Sequence, residues 1–306
     1  MEPQLSLRRL EIFRLVVEER SVTRAAAILM IAQPAVSSQL RALEEWLGAR
    51  LFIRRGNRIE LTEAGERANA WAKGILAGAA ELRRDVHGIE SGGAGSVVAA
   101  ASIGVGSYLL PGVLTRFRGR HPGAEITLNV LQPREALRQV STGEADFAVA
   151  NWDADETHTN VHTTVVRDEP IDIVVRADLG PENGVLSLEE ALRLPLVAAP
   201  RVVAAQRAVD LRLGLLSDVE PNVVIRLGHP LAAKQAVIDH GWASMLPRYV
   251  VAADVAAGVL ATIDVPGLDL RERIVMAWRR DKVFSKLQQT LVAGIRDELA
   301  DFRRPE

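Results

Sequence analysis

The residues from Ser21 to Glu44, SVTRAAAILMIAQPAVSSQLRALE, restrict this chain more than any other stretch. They read as two short helices joined by a tight turn. In the first, Val22, Ala25, Ala26 and Leu29 make a narrow apolar face. Ser21 suits the N-cap, because its hydroxyl can accept from a first-turn N–H. Met30 to Ala32 then breaks the periodicity. Pro34 suits the first position of a new helix, where its missing N–H costs nothing. Val36, Leu40, Leu43 and Leu47 recur at helical spacing and are expected to face the core. Gln33, Ala35, Ser37, Ser38 and Arg41 remain on the outer face. They are short or polar, so the helix can enter a DNA major groove without steric conflict.

The flanks fit the same reading. Leu7 to Glu19 is amphipathic, with Leu10, Phe13, Leu15, Val16 and Val17 placed to cover the two helices. In Gly48 to Thr62, Leu51, Phe52 and Ile53, then Ile59 and Leu61, flank Arg-Arg-Gly-Asn-Arg, the pattern of a two-stranded wing with Gly56-Asn57 at its tip. Arg54, Arg55 and Arg58 in that wing are placed for phosphates, which set affinity rather than sequence choice. The alternative is a solvated surface hairpin. Net charge is -2 overall, but residues 1–62 carry ten Arg against seven Glu, leaving 27 basic and 32 acidic residues for the remainder. A basic N-terminal domain on an acidic body suits phosphate contact at one end only.

Thr62 is placed to cap a long helix, roughly residues 63–87, on which Ala68, Ile75, Leu82 and Ile89 repeat every seven residues. Its apolar stripe needs a partner: either a second copy of the same helix or the C-terminal body. Gly88 to Ser96, GIESGGAGS, reads as a linker. Beyond it the pattern alternates strand and helix, which implies an α/β domain with parallel strands and crossover helices.

The chain of 306 residues has no cysteine. Disulfides, thiol catalysis and Cys-ligated zinc are excluded, and a reducing, cytoplasmic setting is expected. The N-terminus is charged and lacks an apolar signal segment, and no apolar run approaches the ~20 residues needed to span a bilayer. His158 and His162 are four apart, but in a Thr-rich stretch leading into a strand rather than on a helix, so no metal site is read there. No acid/base pair, nucleophile elbow or phosphate-binding loop stands out. Neither catalysis nor a cofactor is expected.

In open α/β sheets, ligands bind beyond the carboxyl ends of strands. That rule selects Ser102 to Ser107, SIGVGS, after the first strand of the domain. There Gly104 and Gly106 would let backbone N–H groups approach a small anion beside the Ser102 hydroxyl; a plain strand-to-helix turn is the alternative. Gln132 follows the second strand, Asn151 and Trp152 the third, Arg201 and His229 two strands further on. Arg201 or His229 suits a ligand carboxylate, though a solvated rim charge is the commoner fate.

The N-terminal region resembles the DNA-binding domain of the LysR-type transcriptional regulators. Matching residues, in order and spacing, are Leu10, Phe13, Ser21, Thr23, Ala25, Ala26, Leu29, Gln33, Pro34, Ala35, Val36, Ser37, Gln39, Leu43, Glu44, Leu47, Gly48, Leu51, Phe52, Arg54, Leu61, Thr62 and Gly65. A looser resemblance reaches the C-terminus. It implies a winged helix-turn-helix over 1–62, a linker helix over 63–90 pairing antiparallel with its twin, and an effector-binding domain over 91–306. The last resembles a periplasmic binding protein, with one lobe from 96–165 and 267–306 and the other from 166–266. The resemblance further implies base contacts by Gln33, Pro34, Ala35, Ser37, Ser38 and Arg41, with Ser21 and Thr23 near the DNA backbone. It gives Ser102 an effector contact. Two departures matter. Ser38 stands where the family usually has Arg, which shifts the load of base reading to Arg41. Val202 to Ala205 replaces a Gly/Ser-rich turn, which points to a more apolar effector or a pocket relying on Arg201. On this reading a homodimer or homotetramer binds double-stranded DNA at a dyad site under control of a small effector. The competing class is a small-molecule binding protein or enzyme whose N-terminal helices serve only for dimerisation.

Overall fold

The structure, a computed structural model, describes residues 5–55, 58–90, 95–151 and 160–300. Gly56, Asn57, Trp152 and His158 lie outside the described residues, as do the side chains of Arg54, Arg55 and Arg58. The chain divides into two compact units, residues 1–92 with 141–144, and the rest.

The first unit contains α1 (Leu7–Glu19), α2 (Val22–Leu29), α3 (Gln33–Leu47), the antiparallel strands β1 (Phe52–Arg55) and β2 (Arg58–Leu61), and α4 (Glu63–Glu90). Leu10, Phe13, Val16, Ala25, Ala26, Val36, Leu40 and Leu43 form one wholly apolar core with Leu51 and Ala72. Ser6 and Ser21 cap α1 and α2 through their hydroxyls, and Met30 closes α2 in the left-handed region. The third helix starts at Gln33, one residue earlier than Pro34 suggests, with no side-chain cap. The wing and the linker helix are pinned by three local contacts. Glu44 accepts from the Leu51 N–H at 2.8 Å. The Thr62 hydroxyl donates to the Arg50 carbonyl at 2.7 Å and accepts from the Gly65 N–H at 2.9 Å. At Gly65 a Cβ would run into the Leu51 carbonyl oxygen, so only glycine lets α4 approach the wing this closely.

The second unit contains β3 (Ser96–Ser102), α5 (Leu110–Arg120), β4 (Glu125–Leu131), α6 (Pro133–Ser141, whose end falls in the first unit) and β5 (Phe147–Asn151). There follow β6 (Val161–Arg176), α7 (Leu188–Arg193), β7 (Leu196–Ala198), α8 (Ala204–Leu216), β8 (Val223–Arg226) and α9 (Pro230–His240). The chain continues through β9 (Ala243–Pro247), α10 (Arg248–Ala256), β10 (Leu260–Ile263), β11 (Arg271–Arg279) and α11 (Lys286–Ala300). The strands follow the order β4-β3-β5-β11-β6-β9-β7-β8, with β10 also on β6. Parallel pairing holds for β3 with β4 and β5, and for β7 with β8 and β9. The sheet is nevertheless mixed, not all parallel: β11 runs antiparallel to β5 and β6, and β6 antiparallel to β9 and β10. Two long strands therefore join two α/β halves. The first part of β6 pairs with β11 as far as Pro170; from Ile171 it pairs with β9. Pro170 falls at the change of partner, where a missing N–H does least harm.

Candidate nucleic-acid interface and effector site

On α3 the sequence separates two faces cleanly. Val36, Leu40 and Leu43 are buried, while Gln33, Pro34, Ala35, Ser38 and Arg41 are exposed and Ser37 is half-buried. The Gln33 amide reaches the Ser37 hydroxyl at 3.5 Å, one turn on. Arg41 makes no ion pair or hydrogen bond among the described residues, so its guanidinium is available to an outside acceptor. The helix is held in place by Gln39, whose side-chain oxygen accepts from Arg9 Nε of α1 at 3.0 Å. Thr23 is exposed on α2. Ser21 is half-buried and spends its hydroxyl oxygen on the Arg24 N–H at 3.2 Å. The result is a rigid apolar block that presents a short polar helix face beside an antiparallel wing, the form that major-groove readers share.

In the second unit, Ser102, Gln132 and Asn151 stand at the carboxyl ends of the parallel strands β3, β4 and β5, at one edge of the sheet. Ser102 is fully buried, and its hydroxyl accepts from the Asn151 N–H at 3.3 Å. Gln132 is exposed. The Ser102 loop does not form a plain turn. It winds into a π-helical run over Val105–Leu109 that continues into α5, a rare form of helix often found at functional sites. Around it Gly104 lies against the Tyr249 hydroxyl, where a Cβ would stand 2.5 Å away, and Gly106 lies against Val130. Arg201 and His229 follow β7 and β8 in the other half, and both are exposed. His229 caps α9 with Nδ1, which accepts from the Leu231 N–H at 3.2 Å. Arg201 borders a surface cavity of about 910 Å³ with residues of α8 and β8. No contact joins Arg201 or His229 to the Ser102–Asn151 pair among the described residues.

The residues that sequence reading missed are the buried Arg167, Glu169, Tyr249 and Glu272, with a half-buried ion pair, Arg248–Asp172, beside them. The Asn151 side chain donates to Glu272 at 3.3 Å, and the Tyr249 hydroxyl donates to the same carboxylate at 2.9 Å. Glu169 ion-pairs with Arg167 and accepts from the Tyr249 N–H at 2.9 Å. Arg248 grips Asp172 with two bonds of 2.8 and 2.7 Å. Burial, above all, pushes the Glu272 carboxyl up to about 7; Glu169 adds to this, against the bonds from Tyr249 and Asn151. Burial likewise raises Tyr249 well above the ordinary phenol range. A signal existed in the alternation of β11, where Glu272 shares a face with the buried Ile274 and Met276. His162 is exposed on β6 and packs on Trp278. Among the described residues no group of three or more His, Cys, Asp or Glu could hold a metal, and no helix is long and apolar enough to cross a membrane.

Residues 7–66 match the family described as bacterial regulatory helix-turn-helix protein, lysR family, and residues 90–300 match the LysR substrate binding domain. The HTH-type transcriptional activator CmpR of Synechocystis sp. is 26% identical over 292 residues, covering 94% of this chain and 93% of its own. The uncharacterized HTH-type transcriptional regulator YeiE of Escherichia coli (strain K12) is 31% identical over 268 residues, covering 86% and 87%. The structure of CbnR, a LysR family transcriptional regulator, superposes with a TM-score of 0.72 at 21% identity, covering 97% of this chain and all of that one. Full-length CbnR in complex with its target DNA superposes with a TM-score of 0.69 at 20% identity, again over 97% and 100%. With both halves matched, the chain belongs to the LysR-type transcriptional regulators, a family of DNA-binding proteins with an effector-binding domain rather than of enzymes.

Proposed function

We propose that α3 reads a dyad operator through Gln33, Pro34, Ala35, Ser37, Ser38 and Arg41, while Ser21, Thr23, Arg54, Arg55 and Arg58 hold phosphates. The exposed row on α3, backed by an apolar core, carries this reading. The complex of CbnR with its target DNA supports it by likeness of fold. The linker helix brings two copies together, because Leu82 and Val86 on α4 are 65% and 47% exposed and leave an apolar stripe to cover. The assembly is a homodimer or a homotetramer. The domains divide at 62 and 90, with the effector-binding lobes exchanging near 165 and 266. A small effector is bound through Ser102, Gly104, Gly106, Gln132 and Asn151, with Arg201 and His229 reaching from the other lobe, a set that suits a small carboxylate. Its binding energy is spent on the difference between two quaternary states, which changes how the oligomer holds DNA. The protein acts in the cytoplasm, on the nucleoid.

The test is a gel shift of the full-length chain on the promoter region beside its gene, repeated across a salt series. A discrete complex that resists unrelated competitor DNA and weakens steeply with salt is expected. Equal affinity for any duplex would overturn the operator reading.

A further inference from the structure

Glu169 on β6 and Glu272 on β11 are direct cross-strand partners in the antiparallel pair, and they are 0% and 8% exposed. Like charges in that position repel, and the low dielectric of the interior sharpens the repulsion. The two carboxylates are served unequally. Glu169 has the Arg167 guanidinium and the Tyr249 N–H at the start of α10, where the helix dipole favours an anion. Glu272 has two neutral donors, the Tyr249 hydroxyl and the Asn151 amide. On β6 the titratable and charged residues are His162, Arg167, Asp168, Glu169, Asp172 and Arg176, and on α10, besides Tyr249, Arg248 and Asp254. Of these Glu169 is the cross-strand partner, with Arg167 paired to it, while Arg248 is bound to Asp172 and Asp254 to Lys234. Neither β5 nor the Ser102 loop has a charged residue. Of the facing pair, Glu272 is therefore the one better served by a proton than by a charge.

This pair sits where the two halves of the domain meet. Tyr249 touches Gly104 of the Ser102 loop, and its ring lies 6.2 Å from that of Tyr108. These are the two tyrosines of the whole chain. Tyr108 also meets Lys234 of α9, whose ammonium stands 5.4 Å from the ring centre and pairs with Asp254 at 2.7 Å. One run of contacts thus leads from Ser102 through Asn151, Glu272 and Tyr249 to Tyr108.

We propose that Glu272 is a positioning residue for the Ser102 end of the effector site. When protonated it is spared the repulsion from Glu169 and keeps the seam between the two halves closed; when ionised it faces Glu169 and loosens that seam, against the pull of the Tyr249 hydroxyl and the Asn151 amide. The effector domain then answers to pH as well as to its ligand. The inference rests on the reading that an effector binds beside Ser102 only for its consequence; the protonation and the seam stand without it.

The experiment uses the full-length chain with 13C-labelled tyrosine rings, which gives two sets of ring signals, assigned with Tyr249→Phe. Without any effector, both tyrosines are expected to shift along one titration curve with its midpoint near 7, the value to which Glu272 is pushed. Glu272→Gln is expected to flatten both curves. A curve that persists in Glu272→Gln, a wild-type spectrum that does not move, or movement of Tyr249 without Tyr108 would overturn the proposal. Should Glu272→Gln not fold, Tyr249→Phe decides: with the hydroxyl gone, the anion loses a donor and the Tyr108 curve must move to higher pH. An unchanged midpoint there would contradict the proposal. Failure to find an operator would leave these curves untouched, so the two readings fail separately.

Discussion

The two units treat charge in opposite ways. In the helix-turn-helix unit no charged or polar residue is buried among those described, and Arg41 and Gln33 stand on its surface. In the effector unit Arg167, Glu169 and Glu272 are buried where β6 and β11 join the two halves. A surface that must match a rigid duplex is best backed by packing with a single arrangement. Buried charges behave otherwise, because a proton or a counter-charge shifts the balance between their arrangements. On the roles proposed above, shape-keeping falls to the first unit and responsiveness to the second.

The strongest way to break the contrast is to remove the cation from the seam. Arg167→Met leaves Glu169 facing Glu272 without its partner. It is expected to destabilise the effector domain by about 3–5 kcal/mol in denaturant unfolding near pH 8. A loss below about 1 kcal/mol would mean that the pair contributes little.

The next test is pH. The Glu272 pKa is raised from 4.5 to about 7 in the folded chain. Its contribution is fully present below the unfolded value and is lost as pH rises through the folded one. Wild-type stability should therefore fall by about 3 kcal/mol from this group between roughly pH 4.5 and 8, and Glu272→Gln should lack that fall. Parallel stability curves for the two proteins would place the charge elsewhere.

A smaller effect is expected in the first unit, where packing rather than charge is at stake. Gly65→Val drives a side chain into the Leu51 carbonyl and should cost about 2–3 kcal/mol at every pH, read from the melting of the helix-turn-helix unit. A dependence on pH there would blur the distinction between the units.

The same contrast explains what could be read without coordinates. The helix-turn-helix was legible because its signals are local: Ser21 caps its own helix, Val36 to Leu43 repeat within one helix, and Gly48 ends it in the left-handed region. The edge that brings Ser102 and Asn151 together was also legible, since a strand's end marks itself. The seam was not. Glu169 and Glu272 lie 103 positions apart, as their numbers show, and each looks like an ordinary surface charge until β11 returns beside β6. That return also made the sheet mixed, which alternation of strands and helices does not reveal. The strand β6 runs straight through Pro170, a residue that in sequence alone reads as a strand boundary. The helix α10, RYVVAADVA, carries β-branched valines that favour a strand in isolation, so its local pattern does not announce a helix.

The proposed role of α3 as the DNA-reading element underlies the regulatory role assigned to the chain. Fluorescence anisotropy of the full-length protein on its operator and on an unrelated duplex, for wild type and for Gln33→Ala with Arg41→Ala, tests this most directly. Each residue is expected to supply about 1–3 kcal/mol of discrimination. The double variant should therefore lose most of its preference for the operator, by about 2–6 kcal/mol, with its fold and the salt dependence of its residual binding intact. If it still prefers the operator as wild type does, α3 is not the reading helix and the account is wrong.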